Sequence, residues 1–377
     1  QRDGIDGGDG ALAAAATRGA GAGGAANAPI AVVGTSCRCP AGATSLEAFW
    51  GALAAGVDAA GEVPLSRWDH HALDTAAFDA KAAVRTTYGA FVAGGRGLRG
   101  AGRAGGNGSV EAFDAEFFRI KRPEAAAMDP QQRALLEGGF EALHAAGATR
   151  ESLRGALCGA FVGMMSLDAA QLLDKARIGP YDLTGNGYAS AGSRLSFVFD
   201  LKGPTSVVDT ACSSSLIATH QARRALQLRE CDAAVAAGVS LMLTASFAHV
   251  GAAVAGMLSA GGRCHTWDAR ADGYLRGEGL AVVALARAAD DAVAGKGGID
   301  ARARVIALLV GSACRHNGQS ATFTALNASS QRELLAAALA DARDGGATGD
   351  VALCEAHGTG TALGDQIEVS TCAGARG

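Results

Sequence analysis

Val207-Val208-Asp209-Thr210-Ala211-Cys212-Ser213-Ser214-Ser215-Leu216 is the stretch on which the fold of this chain turns. Two β-branched apolar residues run into a cluster of small ones, a single cysteine stands among them, and Ile217, Ala218, His220, Ala222, Arg223 and Leu226 continue with a helix-compatible pattern. A strand that passes abruptly into a helix sets its turn at the helix N-terminus. There the unpaired N–H groups and the dipole favour negative charge. A thiol at that place loses its proton more readily, and the thiolate is the nucleophilic form. The same pattern also suits a small residue filling a tight turn, because free cysteine behaves as a small hydrophobe. Both readings stand on this stretch alone.

Working outward, strands and helices alternate. Ile30–Gly34 is a short apolar run closed by glycine, and Ser45 is placed to cap a helix that continues through Leu53. Asp129 and Pro130 match the N-cap and first-turn positions of a helix ending near Gly147. Gly138 and Gly139 lie inside it, each at a cost of about 1 kcal/mol relative to alanine. Strand runs follow at Gly159–Gly163, Asp232–Val239, Leu280–Leu285, Val305–Val310 and Val351–Cys354, with helical runs at Ala288–Ala294 and Ser330–Ala342 and a helix beginning near Asp365. This alternation, with strands apolar throughout, predicts an α/β fold whose sheet is covered on both faces.

Composition narrows the function class. In 377 residues, 33 basic and 37 acidic side chains leave a net charge of −4, which gives no general affinity for nucleic acid or an anionic membrane surface. Aromatic residues are 5% of the chain, so the core must be built from Ala, Val and Leu. The nine cysteines include no CxxC pair, and Cys37 and Cys39 are too close for an ordinary zinc-ligand pair. This usage fits reduced thiols in the cytoplasm. No signal peptide is read at the start, although the chain opens on Gln1 and an organellar leader could precede it. From Ala233 to Ala260 the only ionisable residue is His249, a length that could span a bilayer. Gly238, Gly251 and Gly256 instead favour a buried strand followed by a small-residue packing segment. Residues 1–28 read as a disordered Gly/Ala linker, and the Gly/Arg run at 94–108 as a flexible surface insertion.

A second chemical feature lies at Val351–Thr361, where an apolar run delivers His357 into a glycine-rich loop with Thr359 and Thr361. Glycine permits close approach of a ligand, and the threonine hydroxyls can hydrogen-bond to it. In α/β folds, chemistry collects at strand C-termini. Cys212 and His357 at two such ends make an activated-nucleophile pair.

DTACSSSL (209–216) and EAHGTGT (355–361) resemble the two signature motifs of β-ketoacyl synthase domains, the ketosynthases of type I polyketide and fatty-acid synthases. IAVVGTSCRCP (30–40), MDPQQR (128–133), GRCHTWDARADGYLRGEG (262–279) and ALGDQIEV (362–369) extend the resemblance in family order. It implies a thiolase-like five-layer αβαβα sandwich of two related halves, with 29–278 as the nucleophile half and 279–377 as part of the second, usually assembled as a homodimer. It also implies an acyltransferase that performs decarboxylative Claisen condensation on substrates carried by the phosphopantetheine of an acyl carrier protein, with no soluble cofactor and with other synthase domains as possible partners. Cys212 is then the acyl acceptor, with its own backbone N–H as an oxyanion donor. His357 stabilises the enolate, and Thr359 and Thr361 contact the pantetheine arm. Cysteine at 212 argues against the decarboxylase-only variants, which carry glutamine there.

The pattern also breaks. The family's second histidine, in an Asn-Ile-Gly-His-type segment, its lysine and its Gly-Phe-Gly loop have no counterpart before Gly377. The expectation is a chain that is inactive in condensation and prone to aggregate, through unpaired strand edges. A non-catalytic remnant that only binds carrier protein or dimerises is the alternative function. A Cys–His hydrolase fits less well, because no orienting carboxylate motif follows His357. Cys39, Lys121-Arg122 and the insertion at 94–108 depart from the family pattern away from the chemical residues.

Overall fold

The computed structural model describes residues 27–73, 80–92, 112–245, 247–288, 297–299, 304–322 and 324–374. The insertion at 94–108, the helical run at Ala288–Ala294 beyond its first residue, and nearly all of the linker at 1–28 lie outside them.

Six strands form one mixed sheet in the order β5-β4-β6-β7-β1-β8: β1 (Ile30–Arg38), β4 (Cys158–Met164), β5 (Thr205–Val208), β6 (Ala233–Ser240), β7 (Gly279–Arg287) and β8 (Ala307–Leu309). A separate two-stranded ribbon pairs β2 (Gly61–Glu62) with β3 (Tyr88–Gly89). β4 runs parallel to β5 and β6, whereas β7 is antiparallel to both β6 and β1. β7 and β8, both beyond residue 278, thus complete the sheet that β1 begins.

The helices that bear on the argument are α1 (Leu46–Ala54), α2 (Pro130–Ala145), α3 (Tyr188–Phe199), α4 (Ser214–Gln227), α5 (Phe247–Val254), α6 (Ala328–Asp344) and α7 (Ala362–Gly374). Alternation along the strands assigns each helix its face. Ala233, Val235, Ala237 and Val239 of β6 join Leu135, Leu136 and Leu143 of α2 and Leu195 of α3 in one core. Ala234 and Ala236 face the opposite way, onto Ala218, Ala222 and Leu226 of α4. Period-two strands sandwiched by period-3.6 helices give helix, sheet and helix layers.

The expected N-caps form. Ser45 Oγ accepts from Ala48 N, and Asp129 Oδ1 accepts from Gln131 N at 2.8 Å. The mid-helix glycines of α2 have a packing reason. A Cβ at Gly138 would sit 2.6 Å from Leu280 Cδ2, and one at Gly139 2.6 Å from Leu195 Cδ2, so their absence lets α2 press onto β7 and α3.

Two strand expectations need correction. Val305–Val310 shortens to Ala307–Leu309, which pairs with β1 at the sheet edge. Val351–Cys354 forms no strand among the described residues, and Leu353 is 83% exposed. A strand exists only through a partner's N–H and C=O groups, and none of the described strands pairs with this apolar tetrad. The last helix starts at Ala362, three residues before the expected point. Among the described residues no helix is long and apolar enough to cross a membrane, and the segment that mimicked a span resolves into β6, a connection and α5.

Candidate active site

β5 ends at Val208, and α4 begins at Ser214 with Ser213 as N-cap, so Cys212 stands immediately before the cap. The five-residue turn is held by its own polar groups. Asp209 Oδ1 accepts from Ala211 N at 2.9 Å. Ser214 Oγ accepts from Thr210 N at 2.9 Å and donates to Ala211 O at 2.7 Å, while Ser213 Oγ donates to Thr210 O at 2.9 Å. This net keeps Ala211 at φ +56°, a left-handed conformation that a residue with a Cβ enters only at a cost of about 1–2 kcal/mol.

Two glycines on neighbouring strands let the start of α4 reach the sheet. A Cβ at Gly163 of β4 would lie 2.4 Å from the backbone carbon of Ser214 and 2.5 Å from Ser215 N. One at Gly238 of β6 would lie 2.5 Å from Ser215 Cβ. The nucleophile turn is thus pressed against the C-terminal ends of two parallel strands. Neither role is legible in the sequence, since each depends on a segment distant along the chain.

The histidine arrives from the far side on the loop 355–361. Glu368 of α7 reaches back to it: its two carboxylate oxygens accept the backbone N–H groups of His357 and Gly358, the latter at 2.8 Å. Asp365, buried on the first turn of α7, accepts from Gly360 N at 3.1 Å and from Trp267 N at 3.0 Å. Gly358 O accepts from Thr266 Oγ1 at 2.7 Å, and Gly360 O from Gly273 N at 3.1 Å. The loop is therefore sewn to α7 on one side and to 266–273 on the other. Gly360 adopts φ +70° with its Cα against Cys264 and His265, where a Cβ would lie 2.9 Å from His265 N. Asp365 and Glu368 lie within a motif noted in the sequence, but only the folded loop reveals what they hold.

These two supports place the side chains of Cys212 and His357 against each other, close enough to interact. That contact is the main reason the Cys212 thiol is held below the ordinary thiol range. Burial opposes it, while the His357 charge and the backbone N–H groups of Cys212 and Ser213 act in the same direction. The reciprocal effect raises His357, with the Glu368 charge adding to it. The pair thus leans toward thiolate and imidazolium, the arrangement of an activated nucleophile. Glu368 contributes charge while its oxygens serve the loop backbone. The hydroxyls of Thr359 and Thr361 meet each other at 3.1 Å, and the Thr361 carbonyl accepts from Asp365 N as α7 begins. Among the described residues no cluster of three or more His, Cys, Asp or Glu could hold a metal.

Before β7, Arg67 grips Glu278 with two hydrogen bonds of 2.9 Å, both side chains almost wholly buried. Glu278 also accepts from Val92 N and Met242 N, which anchors the 273–279 segment against the sheet.

Comparison with known proteins places this geometry in a family. The family model described as Beta-ketoacyl synthase, N-terminal domain, matches residues 27–291, and the Beta-ketoacyl synthase, C-terminal domain, matches 306–377. One phenolphthiocerol/phthiocerol polyketide synthase polypeptide of Mycobacterium tuberculosis is 42% identical over 352 residues, covering 93% of this chain and 18% of the relative. A second polypeptide of that synthase, from the same organism, is 40% identical, with 93% and 21% covered. Among solved structures, the ketosynthase from module 6 of the bacillaene synthase from Bacillus subtilis 168 superposes with a TM-score of 0.75 at 32% identity, covering 92% of this chain and 54% of that one. An oxazolomycin ketosynthase domain of Streptomyces albus JA3453 does so with a TM-score of 0.77 at 33% identity, covering 92% and 56%. The chain thus spans about a fifth of its curated relatives and just over half of the solved ketosynthases.

Proposed function

The chain belongs to the β-ketoacyl synthase family, as a ketosynthase domain of the type I polyketide synthase kind, and from that premise we propose that Cys212 and His357 are the reacting pair of a decarboxylative Claisen condensation. The observation that supports this reading is the juxtaposition of a thiol at a helix start and a histidine on a separately held loop, close enough for the histidine to lower the thiol.

The chemistry follows from that contact. The Cys212 thiolate attacks an acyl thioester carried on the phosphopantetheine of an acyl carrier protein. The pantetheine thiol leaves, and the acyl group remains on Sγ. Backbone N–H groups at the start of α4, that of Cys212 among them, face the oxyanion that forms. A malonyl-type thioester then loses CO2, and the His357 ring hydrogen-bonds the carbonyl oxygen on which enolate charge collects. The enolate carbon attacks the Cys212 thioester, forming a C–C bond and expelling the thiolate. Thr359 and Thr361, flanking the bend at Gly360, would offer their paired hydroxyls to the pantetheine arm. Covalent capture divides one hard step into easier ones.

A homodimer fits the same reading. β5 is a sheet edge, and the helices that pack against it leave Phe197 82% and Leu216 73% exposed.

Labelling with cerulenin, an epoxide that alkylates ketosynthase cysteines, tests the site. The expected product carries the label on Cys212, is lost in Cys212→Ala and forms more slowly in His357→Ala. A folded wild-type chain that takes no label would sink the nucleophile reading and leave the remnant that only binds carrier protein or dimerises.

A further inference from the structure

Two thiols that the condensation does not use lie against each other. Cys354 Sγ and Cys372 Sγ are 3.3 Å apart. Cys354 is exposed and Cys372 partly so, in contrast to Cys37, Cys158 and Cys231, which are buried. Their positions matter more than their proximity. Cys354 lies three residues before His357, in the apolar tetrad that forms no strand. Cys372 lies one helical turn beyond Glu368, the residue of α7 that holds the His357 and Gly358 backbone.

We propose that Cys354 and Cys372 form an intrachain disulfide that clamps the histidine loop to α7. A disulfide needs its sulfurs at about 2.05 Å, so closure requires an approach of little more than an ångström, within reach of side-chain rotation about the two Cα–Cβ bonds. The oxidant is a peroxide. One cysteine, as thiolate, attacks the O–O bond and becomes a sulfenic acid, and the second thiolate then displaces water from that sulfur. In sum, two S–H groups and one hydrogen peroxide give one S–S bond and two waters, and the sulfur pair supplies the two electrons that the peroxide accepts. In the reduced chain the loop is tied to α7 by hydrogen bonds, those of the Glu368 and Asp365 carboxylates foremost. In the oxidised chain a covalent tie is added on the strand side of His357. The bond itself is independent of the proposed condensation chemistry; its significance for catalysis rests on His357 acting as proposed.

The sequence makes the test direct. Between Arg343 and Arg376 there is no lysine or arginine, so trypsin releases Cys354 and Cys372 in one peptide with no other cysteine. Cys212→Ala protein, in which the reactive thiol does not consume oxidant, is treated with hydrogen peroxide, blocked with N-ethylmaleimide and digested. The expected peptide has lost two hydrogens and carries no maleimide, and after reduction it carries two. Cys354→Ser should abolish the loss. Hydrogen exchange at 355–361 should slow at least several-fold on oxidation and recover with reductant. A doubly alkylated peptide, under conditions that oxidise Cys264 or Cys314, would overturn the disulfide. A disulfide that leaves exchange at 355–361 unchanged would overturn the clamp.

Discussion

Replacing Asp341 with alanine should destabilise the chain by about 3–5 kcal/mol, the usual cost of stripping the partner from a buried ion. Arg223, on α4, is 0% exposed, and its Nη1 meets Asp341 Oδ2 at 2.6 Å. Its Nη2 donates to Val310 O at 2.9 Å and its Nη1 also to Ser312 Oγ at 3.2 Å, both neutral acceptors, while the buried Nε has no hydrogen-bond partner among the described residues. Asp341 also accepts from Ser312 N at 2.8 Å and from Arg224 Nη2 at 2.7 Å. Removal therefore leaves a buried positive charge uncompensated and orphans one backbone N–H, whereas the Arg224 arm, 36% exposed, contributes under about 1 kcal/mol. The network joins α4, which carries the nucleophile turn, to the residues after β8 and to α6, so the loss should register in global unfolding. Urea denaturation followed by circular dichroism would measure it. Arg223→Met with Asp341→Leu should recover most of the deficit, because paired replacement removes both desolvation penalties. An Asp341→Ala chain within about 1 kcal/mol of wild type would refute the argument, as would a double variant no better than the single. The pH dependence has a definite sign. Burial by itself would raise the Asp341 carboxyl, but the Ser312 N–H and the Arg224 and Arg223 guanidiniums outweigh it, and the group is held below its ordinary value. Its stabilisation is therefore complete above the unfolded carboxyl pKa of about 3.9 and lost as pH falls through the lower folded value. Asp341→Ala should flatten that part of the acid-unfolding curve.

Three further outcomes follow from the site and the sheet edge. The pH profile of iodoacetamide labelling at Cys212, read by site-resolved mass spectrometry, should have its midpoint below that of a free thiol and move upward in His357→Ala, since His357 is the chief cause of the lowered thiol; an unmoved midpoint would contradict the contact. Gly163→Ala places a Cβ against backbone atoms of Ser214 and Ser215 that have no rotamer to escape into. Overpacking of this kind costs about 1–3 kcal/mol, and displacement of the start of α4 should slow Cys212 labelling even where the protein stays folded. Phe197→Asp should shift the sedimentation of the chain toward the monomer, and an unchanged profile would remove this face from the proposed dimer.

Local signals carry the nucleophile side of the molecule. Asp129-Pro130, Ser45 and the abrupt passage from Val208 to Ser214 are short-range patterns whose physics acts within a few residues, and each forms where expected. What stays hidden is non-local. Gly138 and Gly139 read as helix penalties because the side chains they admit, Leu280 and Leu195, come from elsewhere in the chain. Val351–Cys354 has the composition of a strand, but composition supplies no partner, and among the described residues none pairs with it. Thr359 and Thr361 read as ligand donors from a motif, and only the structure adds that their hydroxyls meet each other. Glu368, thirteen residues beyond the start of the EAHGTGT motif, acquires its task only once α7 folds back beneath the loop.

That fold-back makes the two halves of the site unequal. Cys212 is held by a turn whose polar groups satisfy one another and by strands packed from both faces. His357 depends on a loop that none of the described strands supports, bound through the carboxylates of α7 and the 266–273 segment. Glu368→Gln isolates this dependence, since the amide keeps one oxygen acceptor but replaces the other with a donor that cannot accept from a backbone N–H. Of the N–H groups of His357 and Gly358, one then loses its partner, and the charge that adds to the larger effect of Cys212 in raising His357 is lost. A charge-assisted hydrogen bond of this kind contributes about 1.5–3 kcal/mol. Because the loop lies outside the core, the loss should appear as local opening, with faster hydrogen exchange at 355–361 and an upward shift of the Cys212 labelling midpoint, while the global urea midpoint moves little. Global destabilisation equal to that of Asp341→Ala, with exchange at 355–361 unchanged, would show instead that the histidine loop is part of the same cooperative unit as the sheet.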